Sequence, residues 1–418
     1  MHLKAIPRQS TYHSLDEIAI YLKLLFKRNY AHGDYIKKFE KEMSKYLGIK
    51  NVISVSSARL ALYLILKELN FEKGSEIIVP SYTFHIVPNI VQMVGLRPIF
   101  VDCKKDSDNI NIDGIKEAIT RKTKAIIPTS ILGNPCDIKS IVSIAKENDL
   151  RVIEDCAHSL GSEIDGKKDG TFGDISYFSF GTGKNMDCFG GGIICTDNDK
   201  LAENIRSKAK KLKYPPFFKI LKKVLWSYTA FFLSLPAIFT FFVYPLLFIT
   251  QLFNLDVAHR ILKEEEKLLK NFPEKDLIKF SNIQAAIGVI QLKKLDYIND
   301  LKIKNAQMLI EGLKKLNFLS VSKTKKNVKN IYLLCYFRSE LRDFIRKKMI
   351  LKGIDTKAEY QFVCSEMPIF KEFYKDCPNA RKIKETEFNL PNSVFMKKKD
   401  ILRIINIIKR INGNLKKD

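Results

Sequence analysis

Seven short apolar runs alternate with stretches of helical period across the first half of this chain, and that alternation limits the folds open to it. The runs are Val52–Val55, Glu76–Val79, Pro98–Val101, Ala125–Pro128, Arg151–Asp155, Ile175–Phe180 and Ile193–Thr196. They are of strand length and mostly apolar throughout, so both faces of the sheet must be covered. The intervening segments read as helices, such as Arg59–Leu69 with Leu60, Leu62, Leu64 and Leu66. The pattern predicts an α/β fold with a mostly parallel seven-stranded sheet. A length of 418 residues exceeds what one small core uses and predicts a second domain.

In open α/β sheets, ligands gather outside the carboxyl ends of the strands. Two of those ends carry chemistry. The run LRVIED ends at Asp155 and is followed by Cys156-Ala157-His158-Ser159-Leu160-Gly161. The run SYFSF is followed by Lys184, in a loop punctuated by Gly181 and Gly183, and then by Gly190-Gly191-Gly192. A lysine near packed backbone, with glycines leaving room for a ligand, suits a Schiff-base nucleophile. A solvated loop lysine is the plainer alternative in so basic a chain. An acid and a lysine on one sheet edge are the pair that pyridoxal phosphate (PLP) chemistry needs: an amine for the carbonyl and a carboxylate for the pyridinium nitrogen. Ser54–Arg59 lies where a strand gives way to a helix, and its small residues would let helix N–H groups meet a phosphate. Simple N-capping by Ser56 or Ser57 is the alternative there.

IEDCAHSLG, GDISYFSFGTGKN and the glycine run together resemble the DegT/StrS-type sugar aminotransferases, PLP enzymes of fold type I, the aspartate-aminotransferase fold. The resemblance covers about Gly33 to Leu212 and resumes near Leu277. It implies that Lys184 binds PLP as a Schiff base and moves the proton, while Asp155 keeps the ring nitrogen protonated. It further implies that Phe84 stacks on the ring, that His158 reaches the ring hydroxyl, and that Ser57, Ala58, Arg59 and Ser179 hold the phosphate. The implied reaction is amination of a keto sugar on a nucleotide or lipid carrier, with glutamate as donor, by a homodimer in glycan biosynthesis. Lys184 argues against the related sugar dehydratases, which lack that lysine. Three stretches depart from the family pattern. Arg59 replaces a Thr, Phe189-Gly190-Gly191-Gly192 stands where the family reads Gly-Glu-Gly-Gly and so lacks a carboxylate expected to contact substrate, and Leu277 and Lys279 stand where the family has a cross-subunit Asn and an Arg. Arg59 is expected to compensate at the phosphate. A membrane-attached, non-catalytic scaffold on a degenerate PLP fold is the competing reading.

Val224–Thr250 carries no charged residue and lies between the two matching blocks. Its length would allow one bilayer crossing, but a crossing would separate the halves of a single PLP site. Pro236 and Pro245 interrupt it. We expect two short apolar helices meeting at Pro236, dipping into one leaflet at the cytoplasmic face and returning. Lys208, Lys210, Lys211, Lys213, Lys219, Lys222 and Lys223 precede it and suit anionic headgroups. A buried hairpin or a dimer contact is the alternative. The expected organisation is an N-terminal arm and large domain (1–212), a membrane-interacting insertion (213–256), linking helices (257–300) and a small α+β domain (301–418). In the last, Asn330–Phe337 reads as a strand and Lys399–Ile411 as the closing helix. The net charge of +25 favours anionic partners. No zinc-finger spacing or RNA-binding aromatic signature accompanies it, which argues against nucleic acid. No metal-ligand spacing is present, and eight cysteines without a CxxC pair read as reduced thiols.

Overall fold

The computed structural model describes residues 4–253, 267–358 and 360–415. The seven expected runs form one sheet: β1 (Asn51–Val55), β2 (Glu76–Pro80), β3 (Arg97–Val101), β4 (Thr123–Ile126), β5 (Arg151–Asp155), β6 (Ile175–Ser179) and β7 (Gly192–Thr196). Their spatial order is β1-β7-β6-β5-β4-β2-β3. All pairings are parallel except those of β7, which runs antiparallel to both β1 and β6. The two-residue period explains the unbroken apolar runs. Ile77, Val79 and Ile153 pack on one face with helices Ala58–Leu69 and Ile86–Met93, whereas Ile78 and Val152 pack on the other with Ile138–Glu147.

The small domain pairs strand Cys335–Arg338 antiparallel with Glu387–Leu390. Helices Arg342–Leu351 and Lys398–Leu415 cover this pair around Phe337, Ile345, Phe388 and Ile404. The N-terminal arm joins this core through Ile6, whose N–H donates to the Gly353 carbonyl at 2.8 Å. One unbroken helix, Asn282–Leu313, links the domains and runs through the expected boundary at 300/301. A Ser281–Gln284 capping box starts it. Residues 254–266, around the expected junction of insertion and linker, lie outside the described residues. The strand expected at Asn330–Phe337 is shorter. Asn330 Oδ1 accepts the Tyr332 N–H at 2.8 Å, and Tyr332 adopts a φ of 46°, so the chain turns before it can pair.

The insertion forms two helical arms that meet at Pro236, as expected, but the arms do not fold back on each other. Its first helix, Phe217–Ser234, contains the last basic residues, and a second helical segment runs from Pro236 to Leu252. The axes diverge by 70°, an elbow rather than a hairpin that folds back. Contacts to the body hold the second arm: Thr240 Oγ1 accepts the Ala5 N–H at 2.9 Å, and Phe239 is buried. Among the described residues no single helix is long and apolar enough to cross a membrane. The inner face buries Ile220, Val224 and Ser227, while Trp226, Phe241 and Phe242 stay 63%, 68% and 74% exposed. Lys208 pairs with Glu68 at 2.6 Å and Lys219 with Asp276 at 2.8 Å, so not all of the lysines face outward.

Candidate active site

Strands β5 and β6 are parallel neighbours, so their carboxyl ends open on the same edge. Asp155 is the last residue of β5. It is buried, and its Oδ1 accepts the Ala157 N–H at 3.1 Å. Burial raises its pKa, opposed by the Ala157 N–H and by the charge of Lys184. Glu154, one residue earlier, projects to the opposite face. There it accepts the N–H groups of Gly170, Phe172 and Gly173 at 3.1, 2.8 and 2.6 Å. Alternation along the strand therefore sends only Asp155 to the cavity.

Lys184 follows β6 through a tight turn in which its N–H donates to the Gly181 carbonyl at 3.0 Å and Gly183 takes a φ of 90°. The linking helix pins the loop from behind. Asn185 Nδ2 donates to Asn299 Oδ1 at 2.7 Å, and Lys302 Nζ donates to Asn185 Oδ1 at 2.7 Å. Burial lowers the pKa of Lys184 to about 8, against the pull of Asp155. Its amine is therefore neutral in a useful fraction near physiological pH, as a nucleophile requires.

A cavity of about 430 Å³ brings Lys184 together with Asp155, His158, Ser179, Phe84, Ser57, Ala58 and Arg59. Burial and the charge of Lys184 hold His158 neutral, and its Nδ1 is buried without a hydrogen-bond partner among the described residues. Ser57 caps helix Ala58–Leu69, its Oγ accepting the Leu60 N–H at 3.1 Å, so the plainer alternative describes one of its contacts. The Arg59 guanidinium lies over the Phe84 ring, 5.4 Å from its centroid. Lys279 Nζ lies over Tyr214 at 4.2 Å, and Leu277 packs against the main core. The glycine run is sterically required. A Cβ on Gly192 would stand 2.5 Å from the Phe178 carbonyl oxygen and 2.9 Å from the Ala58 nitrogen.

Several lining residues escaped sequence reasoning. Thr129 and Tyr177 share the cavity, as do Tyr360 and Gln361 from the loop before strand Phe362–Val363. Tyr360 lies with its ring 5.3 Å from that of His158. Thr129 follows β4, so the strand-end rule could have found it. Lys223, from the insertion, also lines the cavity rather than facing headgroups, and no sequence signal marked it.

PLP fits this cavity on the structure's own terms. The residues offer a lysine with a lowered pKa, a buried carboxylate beside it, an unpartnered imidazole nitrogen and a cationic wall at a helix N-terminus. The sequence profile of the DegT/DnrJ/EryC1/StrS aminotransferase family matches residues 14–214 and 276–409, leaving out the insertion. An uncharacterized protein of Methanocaldococcus jannaschii is 33% identical over 390 residues, covering 91% of this chain and 90% of its own length. GDP-perosamine synthase of Escherichia coli O157:H7 is 28% identical over 378 residues, covering 90% and 89%. The solved structure of S. venezuelae DesV superposes with a TM-score of 0.78 over 98% of each chain at 23% identity, a likeness of fold. The chain therefore belongs to the DegT/DnrJ/EryC1/StrS aminotransferase family and is a PLP-dependent aminotransferase.

Proposed function

We propose that the enzyme moves an amino group from an amino acid, glutamate by family analogy, to a keto sugar carried on a nucleotide. It would act as a homodimer at the cytoplasmic face of a membrane, in the assembly of a surface glycan. One observation carries the catalytic reading: Lys184, Asp155 and His158 line a single cavity outside the strand ends. The sugar class is supported by the similarity to GDP-perosamine synthase.

When bound, PLP supplies an electron sink for the carbon that loses its proton. The residues then divide the work. Lys184 would bind the cofactor through its neutral amine and, once released, carry the proton at the substrate carbon as general base. Asp155 would keep the ring nitrogen protonated, and neutral His158 would meet the ring oxygen through Nδ1. Phe84 would flank the ring. Ser179, Arg59 and the helix start at Ser57 and Ala58 would hold the phosphate.

The membrane reading is supported by the apolar outer face of the elbow. Burying a Phe- or Leu-sized side chain is worth about 1.5–3 kcal/mol, so the exposed Phe218, Trp226, Phe241, Phe242 and Phe253 favour a lipid surface.

Purified enzyme with glutamate is screened against nucleotide keto sugars, with products read by mass. An amino sugar should form with wild type and not with Lys184→Ala, which should also lose the visible absorbance of lysine-bound PLP. No product from any nucleotide keto sugar, with turnover of a different carbonyl class, would overturn the sugar assignment. Separately, wild type should pellet with membranes and need detergent for release. A variant with Trp226, Phe241 and Phe242 changed to Ser should not pellet. Wild type that stays in the supernatant would refute the membrane reading and leave the chemistry untouched.

A further inference from the structure

The insertion helix Phe217–Ser234 does more than offer an apolar face. At Lys223 it turns inward and forms part of the cavity wall with Ser56, Ser57, Arg59 and Gly190. Its Nζ stands 3.3 Å from where a Cβ on Gly190 would sit, so the glycine leaves the space that the ammonium occupies. The helix faces divide cleanly. Val224 and Ser227 are buried against the body, Leu225 and Trp226 are exposed, and Lys223 looks into the cavity.

Among the described residues, no hydrogen bond or ion pair holds Lys223 Nζ. Asp276, the acid that acts on it, is paired with Lys219 at 2.8 Å. Burial and the neighbouring charge of Lys219 lower the pKa of Lys223 to about 8. A cation in such a position is costly unless an anion arrives. The N-terminus of helix Ala58–Leu69 opens on the same wall, and it too favours an anion. The phosphate of PLP is an anion that this enzyme must hold.

We propose that Lys223 is a phosphate-binding residue of the cofactor site, contributed by the insertion. The membrane-facing element and the cofactor cavity then share one helix. The family profile stops at residue 214 and resumes at 276, so Lys223 falls in a segment that the profile does not describe. The inference rests on the PLP assignment and not on the identity of the sugar or on membrane attachment.

The test compares PLP with pyridoxal, which has the same ring and aldehyde but no phosphate. Apoprotein of wild type, Lys223→Gln and Lys223→Arg is titrated with each, read by the absorbance of the bound ligand, with circular dichroism to verify the fold. Loss of a charge-assisted contact predicts that Lys223→Gln raises the PLP dissociation constant by about ten- to a hundredfold. Pyridoxal affinity should not change, and Lys223→Arg should retain most of the PLP affinity. An equal loss for both ligands would make Lys223 structural and overturn the inference. So would unchanged PLP affinity with a raised KM for the nucleotide sugar at saturating PLP, because Lys223 would then serve the substrate diphosphate. Wild-type apoprotein that captures neither ligand would instead overturn the cofactor assignment, and the inference with it.

Discussion

Gly192→Ala tests whether the sheet and helix Ala58–Leu69 are as tightly joined as their backbones indicate. Gly192 begins β7 and is paired with Val55 on one side and Ser179 on the other. An added Cβ would lie 2.5 Å from the Phe178 carbonyl oxygen, 2.9 Å from the Ala58 nitrogen and 3.1 Å from the Ser57 carbonyl carbon. All three are backbone atoms, so no side chain can swing aside. Either β7 leaves a paired position or the helix start moves by several tenths of an ångström. Overpacking of this kind costs about 1–3 kcal/mol, and the upper half of that range applies because two ladders resist the shift. Displacement of the Ser57–Ala58 turn should also weaken PLP binding about tenfold, equivalent to about 1.4 kcal/mol. Urea unfolding of the apoprotein gives the first figure and PLP titration the second. Gly413→Ala is the control, since nothing lies within 4 Å of its added Cβ and the site is helical. It should be neutral or stabilise by up to ~1 kcal/mol. A Gly192→Ala protein with wild-type stability and PLP affinity would refute the close-packing argument.

Asp155→Asn should retain PLP while turnover falls by at least about a hundredfold, since a general acid–base effect of 10²–10⁴ depends on ring protonation; full turnover would move that role elsewhere, though not to Glu154 on the opposite face. His13 lies between Glu17, at 2.6 Å, and Asp187, at 3.7 Å, and also meets Ser227 of the insertion at 2.9 Å. Burial opposes its charge, but the Asp187 and Glu17 contacts prevail and raise its pKa from 6.5 to about 9. A raised pKa means that this stabilisation is complete below about pH 6.5 and is lost as pH rises through about 9, on the order of 3 kcal/mol in all. The stability difference between wild type and His13→Gln, measured by urea unfolding, should therefore shrink over that window; a constant difference would show that His13 is not charged. Lys302→Met removes the donor to Asn185 Oδ1 and to the Leu333 carbonyl, at 2.7 and 3.3 Å. It should cost about 1–3 kcal/mol and slow PLP capture by Lys184, measured by thermal unfolding and stopped-flow absorbance; an unchanged capture rate would mean that the loop is held without Lys302.

By itself the sequence determined the sheet. Runs apolar on both faces leave few alternatives to a covered, mostly parallel arrangement, and all seven appear at or within a few residues of the expected positions. It also determined the polar edge, because Asp155 and Lys184 follow adjacent strand ends, and chain direction then carries both to one side. Tertiary structure decided what depends on contacts between distant segments. The two-residue period of β5 separates Asp155 from Glu154, but only the neighbouring strands show which face opens on the cavity. The cationic wall draws Lys223 from a segment whose composition signals apolar surface, because helix rotation turns this lysine inward while Lys222 beside it faces solvent. The elbow likewise depends on where the second arm finds partners, at Ala5 of the N-terminal arm, and not on Pro236 alone. Local pattern fixes where helices and strands form; the direction in which a single side chain points is fixed by what packs around it.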